Sequence, residues 1–383
     1  MPAGELELRT LTRLDELETF REEWDELVRA MPRPSPWLLH AWLTEWWRHY
    51  GDGAELRVHV ALREGRLVAA LPLFVRRRYG VRVVDFFGHF RAAPVDVLAA
   101  DGDEEAVCAL AAQLAGGDHD VADIFGLHGA SRLAAALGDR LRLELRVESP
   151  VLDLTEGWDE VYRRHTDSKK RNLHKRRRKQ LAELGALGMT VARTPQEIDD
   201  LLDAAFDLHT LRWEGRPDGS GFATPVGRRF HRAAACRLAE QDIPRLVFLT
   251  LDDQPVAFHY YFAFCGRMFV HRLAFDPRLS RFSPGLVNTL DALQEAAREG
   301  LTTVEYLGGG ERYKLELSDR FDPLYEGFGL ARSPQGRALL HARLATIGVR
   351  RRLKRSTRLR RVYFERLAPL RRVSRALRRR AAR

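Results

Sequence analysis

Apolar residues follow two spacings in the first fifty positions. ELELRTL alternates like a strand, and Leu14, Leu17, Phe20, Trp24 and Leu27 then fall at helical spacing. MPRPSP (Met31 to Pro36) breaks that helix, and Trp37, Leu38, Trp42, Trp46 and Trp47 predict another. Two strands around a Glu64-Gly65 turn (VALREGRLVAALPLF) and a third (VRVVDFFG) follow. Next come a helix from Asp103 to Leu114, a strand (VADIFGL), a short helix and a strand (LELRVESPVLDL). The second half predicts one helix from about Trp158 to Glu183, a strand (MTVAR), a helix around Pro195 to Trp213, a Gly-rich loop (EGRPDGSG) and a helix to Glu240. The hairpin RLVFLTLDDQPVAFHYYFAF turns at Asp252-Asp253, and strand MFVHRLAF, helix PGLVNTLDALQEAAREG and strand LTTVEYLGGG complete it.

The two hairpins align without gaps, Val60 to Phe74 over Phe248 to Phe262, each after two helices. The matching order of elements favours an internal duplication. Five of the seven tryptophans lie in the first fifty residues, which predicts a packed aromatic core there.

Length and composition narrow the class. The 383 residues suggest two domains, and 45% hydrophobic content is that of a globular chain. The longest apolar run, Leu67 to Val75, is too short to span a bilayer, and MPAGELELRT does not read as a signal peptide. Cys108, Cys236 and Cys265 are scattered, so no metal site is expected and a cytoplasmic location fits. The net charge of +10 is unevenly spread: Gly348 to Arg383 carries +15, Arg163 to Lys179 carries +9, and the remainder is −14. Such asymmetry concerns partners rather than fold.

Met268 to Lys314 holds the candidate chemistry. A strand, the loop RLSRFS, a helix opening at Ser283-Pro284-Gly285 and a returning strand make a βαβ unit with parallel strands. Ser283 suits an N-cap, Pro284 the first turn and Gly300 the position past the end. Backbone N–H groups at such a start can hold a pyrophosphate, with Arg278 and Arg281 just before it. Glu305, near the end of a parallel strand, is a candidate base, and Tyr306 and Tyr313 are candidate acids. His259 and His271 lie on facing strands, and His209, Arg212 and Trp213 end a helix beside the Gly-rich loop. HExxH, GxSxG and GxxxxGK[ST] are all missing from the sequence, so zinc-hydrolase, serine-hydrolase and P-loop chemistry have no support.

RHTDSKKRNLHKRRRKQLAELG, HTLRWEGRPDGSGF, LDDQPVAFHYYF, RFSPG and EYLGGGERYKLEL, in this order, resemble the CelD/BcsL-type acetyltransferase family of the GNAT superfamily. That family is similar in layout to the Fem aminoacyltransferases, which are two GNAT-like halves. The resemblance covers about Trp24 to Leu317. It implies an α/β fold of tandem GNAT-like domains, with mixed central sheets flanked by helices and an acyl-CoA cleft in the second half. It also marks out the pair Tyr313-Lys314, with Lys314 binding a phosphate or substrate anion. The chain keeps the family's S-P-G but lacks the paired glycines of the usual GNAT pyrophosphate loop.

The resulting expectation is an N- or O-acyltransferase with an N-terminal domain (1–155), a C-terminal acyl-donor domain (156–345) and a basic tail (346–383), amphipathic or disordered. Catalysis is expected from Glu305, Tyr306, Tyr313 and Lys314. Donor binding is expected from Arg278, Arg281, Ser283 and Gly285, and substrate binding from His209, Arg212, Trp213, His259 and His271. The expected co-substrate is acyl-CoA, acetyl-CoA first, with no metal. The acceptor would be a small molecule or glycan of envelope or polysaccharide type, and the tail could meet the anionic inner face of a membrane. Two rivals stay open: a Fem-like enzyme using aminoacyl-tRNA, bound through the basic helix, and a non-catalytic nucleic-acid- or membrane-binding module.

Overall fold

The computed structural model describes residues 5–88, 93–213, 221–308 and 311–355. The first half runs β1 (Leu6–Leu11), α1 (Leu14–Glu18), α2 (Arg21–Ala30), α3 (His40–Tyr50), β2 (Ala54–Arg63), β3 (Arg66–Arg78), β4 (Val81–Phe86), β5 (Leu98–Ala99), α4 (Glu104–Gly116), β6 (Val121–His128), α5 (Arg132–Leu137) and β7 (Leu141–Asp153). The second runs α6 (Trp158–His165), α7 (Ser168–Ala182), β8 (Leu187–Ala192), α8 (Pro195–Trp213), α9 (Pro225–Ala239), β9 (Pro244–Leu251), β10 (Gln254–Phe264), β11 (Arg267–Phe275), α10 (Pro284–Arg298), β12 (Thr303–Glu305), α11 (Arg312–Glu316), β13 (Arg320–Gly329) and α12 (Pro334–Arg355).

Among the described residues the thirteen strands form one continuous mixed sheet rather than two, in the order β1-β2-β3-β4-β6-β13-β7-β12-β11-β10-β9-β8, with β5 beside β3. This order is a near-palindrome. Each half has an antiparallel run of four strands, then a parallel pair, β4 with β6 and β11 with β12, joined through a helix, α4 or α10. The last strand of each half is exchanged: β13 pairs with β6, and β7 pairs with β12. Each half thus completes the other's sheet.

The hairpin alignment holds at the level of register. Ala61 faces Ala69 and Leu62 faces Leu67; 188 residues later Leu249 faces Ala257 and Thr250 faces Pro255. The same bulge, at Val68 and Val256, is present in both.

The early tryptophans join the halves. Trp42, fully buried, meets Phe230 of α9 edge-on at 4.9 Å and Phe262 of β10 at 5.6 Å. Its indole N–H donates to the Gly88 carbonyl at 2.7 Å, so the ring is buried without stranding its polar atom. α3 and α9 therefore pack as one aromatic seam.

Three expectations need correction. The helix placed from Trp158 to Glu183 is two helices. Thr166 is extended, and the Asp167 carboxylate accepts from the Lys170 N–H to start α7 anew. Ser283 stands at the start of α10 in the left-handed region (φ 56°), and its side chain makes no cap bond. Residues 346–355 continue α12 rather than opening a separate tail; residues 356–383 lie outside the described residues. α12 covers the first half's sheet, Leu339 and Leu340 packing on Val81, Val83 and Val121.

Candidate active site at a forked pair of strands

β11 and β12 pair only from Arg267 to Phe269, against Thr303 to Glu305. Beyond that, β11 continues to Phe275 while β12 ends, so the sheet forks. The first half forks likewise after Val84 and Ala122, but its own chain fills the gap. Val95 bridges to Leu127, and its N–H donates to the Gly126 carbonyl at 2.9 Å. A Cβ on Gly126 (φ +89°) would meet the Ala93 carbonyl oxygen at 2.3 Å, so glycine is required. Among the described residues, the second half's fork has no such plug.

Side chains at this fork divide between two faces. Val304 and Tyr306 point towards α10, into a core with Tyr261 and Met268, whereas Glu305 points the other way. On the α10 face, the Tyr306 and Tyr313 rings meet edge-on at 6.2 Å, and neither buried hydroxyl has a hydrogen-bond partner among the described residues. Burial raises both phenols well above their ordinary value, so both stay protonated. The Lys314 ammonium, 7% exposed, donates to the Gly308 carbonyl at 2.8 Å and pairs with Glu311 at 3.2 Å. Burial lowers its pKa, and Glu311 opposes that shift. Leu307 and Gly308 both have positive φ (63° and 120°), so Lys314 pins a tight turn at the strand end. His259, fully buried on this face beside Tyr261, has no hydrogen-bond partner at either ring nitrogen among the described residues and is pushed down to about 3 by burial and then by Lys314.

On the other face, the Glu305 carboxylate, 3% exposed, accepts from Arg267 at 2.7 Å and Arg33 at 3.2 Å, both through Oε1. Oε2 has no partner among the described residues. The register shift opposite Tyr260 and Tyr261 leaves His271 unopposed on β11, so His271 and Arg272 both turn to this face against Phe222. His209 packs on Phe222 at 5.3 Å and stacks with Trp213 at 6.0 Å; burial, reinforced by Arg272, holds it at about 4.

The expected residues are therefore only partly brought together. Tyr306, Tyr313, Lys314 and His259 share one face; Glu305, His209 and His271 share the opposite one. Arg212 stacks over Phe275 at 4.6 Å near the helix start, and Trp213 is 40% exposed. At that start, Gly285 allows close approach, since a Cβ would sit 2.7 Å from the Phe275 ring. Arg278 is 81% exposed at its side chain and bound to Asp276, while Arg281 stacks over Phe282 at 4.4 Å. α7 braces the loop: Arg177 donates to the Arg281 carbonyl, and Arg178 pairs with Asp291 at 2.7 Å.

Sequence reasoning missed Arg33 and Arg267, which bind Glu305, and Asp322 and His128, which stand beside Arg33. Arg33 lies in a proline-rich break and Asp322 in an unrecognised strand, so neither carried a local signal.

Residues 168–315 match the family described as Acetyltransferase (GNAT) domain. The match falls within the second half, and the first half repeats the order of elements of that half. Among solved structures, the chain is similar to FemX (13% identity, TM-score 0.55, covering 82% of this chain and 96% of that one). It is similar as well to L-PGS from Bacillus licheniformis (14%, 0.50, 90% and 98%). A conserved protein of unknown function from Bacteroides thetaiotaomicron is comparable (14%, 0.53, 85% and 100%). No curated protein matches the chain by sequence. No described helix is long and apolar enough to cross a membrane, and no metal-binding group is present among the described residues.

Proposed function

We propose that the chain transfers an acyl group from acyl-CoA to an amine or hydroxyl of a small-molecule or glycan acceptor, at the fork between β11 and β12. The observation that carries this reading is the adjacency of Glu305 and Tyr306. A carboxylate oxygen and a phenolic hydroxyl, each without a partner among the described residues, stand on opposite faces of one strand end.

One feature of the fork supports the donor: among the described residues, its gap lacks the plug seen in the first half. Ser283, Gly285, Arg281 and Arg278 would hold the phosphates, with Arg177 behind them. Acyl-CoA, when bound, supplies the thioester carbonyl. Glu305 Oε2 accepts the acceptor's proton on one face, while Tyr306 or Tyr313 gives a proton to the departing thiolate on the other. Lys314 fixes the turn between them and places a positive charge where negative charge develops.

A second reading rests on α7. Lys169, Arg171, Lys175, Arg176, Arg177 and Lys179 have no acidic partner among the described residues, a surplus that suits an RNA-borne donor such as aminoacyl-tRNA. Thermal-shift titration decides. Acetyl-CoA at about 100 times its dissociation constant should add ~2.7 kcal/mol of stability. No shift with any acyl-CoA at millimolar concentration, together with salt-sensitive tRNA binding, would replace the first reading with the second.

We further propose, from sequence alone, that residues 356–383 bring the enzyme to an anionic membrane surface.

A further inference from the structure

A cavity of about 220 Å³ lies between the halves, on the Glu305 face of the sheet. Its floor is apolar, with Met31, Leu38 and Val97 nearly or fully buried. Its polar lining is Arg33, Ser35, Asp96, His128, Arg132 and Arg267. Three of these are engaged by the fold: Ser35 donates to the Pro94 carbonyl, Asp96 accepts from Ser131 and from the Val97, Arg132 and Leu133 N–H groups, and Arg132 donates to the Ala99 and Ala100 carbonyls and pairs with Glu104. Arg33, Arg267 and His128 have donors to spare. Behind them, Glu305 binds both guanidiniums and Asp322 binds Arg33 at 2.7 Å. These contacts use only Nη2 of Arg33 and Nη1 of Arg267. The other N–H groups of both side chains have no partner among the described residues. His128 completes the set. Its Nδ1 accepts from the Ala130 N–H at 3.1 Å, so in the neutral ring the proton sits on Nε2. Nε2 has no hydrogen-bond partner among the described residues; Asp322 stands 4.0 Å away. Burial, and then Arg33, push this histidine down to about 4, so it is a neutral N–H donor at ordinary pH. Two carboxylates thus hold two guanidiniums from behind, and the outer donors remain for something else.

We infer that this cavity binds the carboxylate of a compact, partly apolar molecule. The donors accept only an anion or a carbonyl, and the apolar floor takes a short hydrocarbon body. A monoanion fits better than a phosphate dianion, because Glu305 and Asp322 already offset the two arginines. A cavity of this size suits a small molecule better than a nucleotide or an oligosaccharide. Its place beside Glu305 makes the carboxylate an anchor for the acyl acceptor. That role rests on the function proposed above; the binding itself does not.

Calorimetry on the full chain without acyl-CoA tests the binding directly. Isovalerate is the probe, with isovaleramide and inorganic phosphate as controls. Isovalerate should bind, the amide at least about tenfold more weakly, and phosphate should not displace it. Ala130→Trp, at the exposed rim and outside the ion-pair network, should abolish isovalerate binding while keeping the fold and the acetyl-CoA thermal shift. His128→Phe should weaken binding by roughly tenfold through loss of one donor. Equal binding of acid and amide, displacement by phosphate, or undiminished binding in Ala130→Trp would each overturn the assignment. Isovalerate binding without any response to acyl-CoA would keep the cavity and remove its role as an acceptor anchor.

Discussion

Glu305 and Tyr306 are consecutive at the end of β12, and their side chains leave the strand on opposite faces. Acid and base are thus separated by the thickness of one strand, at the point where the sheet opens. A proton removed on one side need not be the proton delivered on the other.

Glu305→Gln keeps the shape and removes the charge, so turnover should fall by roughly 10²–10⁴-fold. Thiol release from acyl-CoA, measured against an acceptor panel, checks this, and acetyl-CoA binding should barely change. Full activity per folded molecule would assign Glu305 to holding Arg33 and Arg267 and nothing more.

Lys314→Met should lower turnover by at least about tenfold, since it removes the charge and frees the Gly308 turn. A loss of fold without a loss of activity per folded molecule would make Lys314 structural.

Gly126→Ala puts a methyl group against the Ala93 carbonyl in a backbone region that disfavours side chains, and should cost about 1–3 kcal/mol in urea unfolding. Acetyl-CoA affinity should be unchanged, because the filled fork of the first half takes no donor. Altered affinity would show that both forks take part.

The pH dependence of stability follows from His259. Its folded pKa of about 3 lies below the ordinary 6.5, so below pH 6.5 the unfolded chain takes up the proton and the folded one does not. Its contribution is complete above pH 6.5 and is lost as the pH falls towards 3, by up to ~1.4 kcal/mol per pH unit. His259→Phe should therefore flatten the acid side of a urea-midpoint curve. Coincident curves would mean that the ring is protonated within the fold.

The halves of this fold differ in how plainly they are written. Turn residues Glu64-Gly65 and Asp252-Asp253 mark both hairpins, and the α10 unit is bracketed by Pro284 and Gly300. β13 was not legible, because Pro323, Gly327 and Gly329 interrupt its alternation. Without it the exchange with β7 could not be seen. The candidate residues were legible as a set but not as two faces. A three-residue β12 sets no visible alternation, and the unopposed His271 shifts the period of β11.

The exchange of β7 and β13 also sets the order of events at the ribosome. When Asp153 has been made, the edge of β6 awaits a strand that begins only at Arg320, a delay on the order of ten seconds or more. During that interval the nascent first half exposes an open β edge, the kind of surface that captures other chains. A chain ending just after Asp153 has a first half whose β6 lacks β13, and the second half made alone has a β12 that lacks β7.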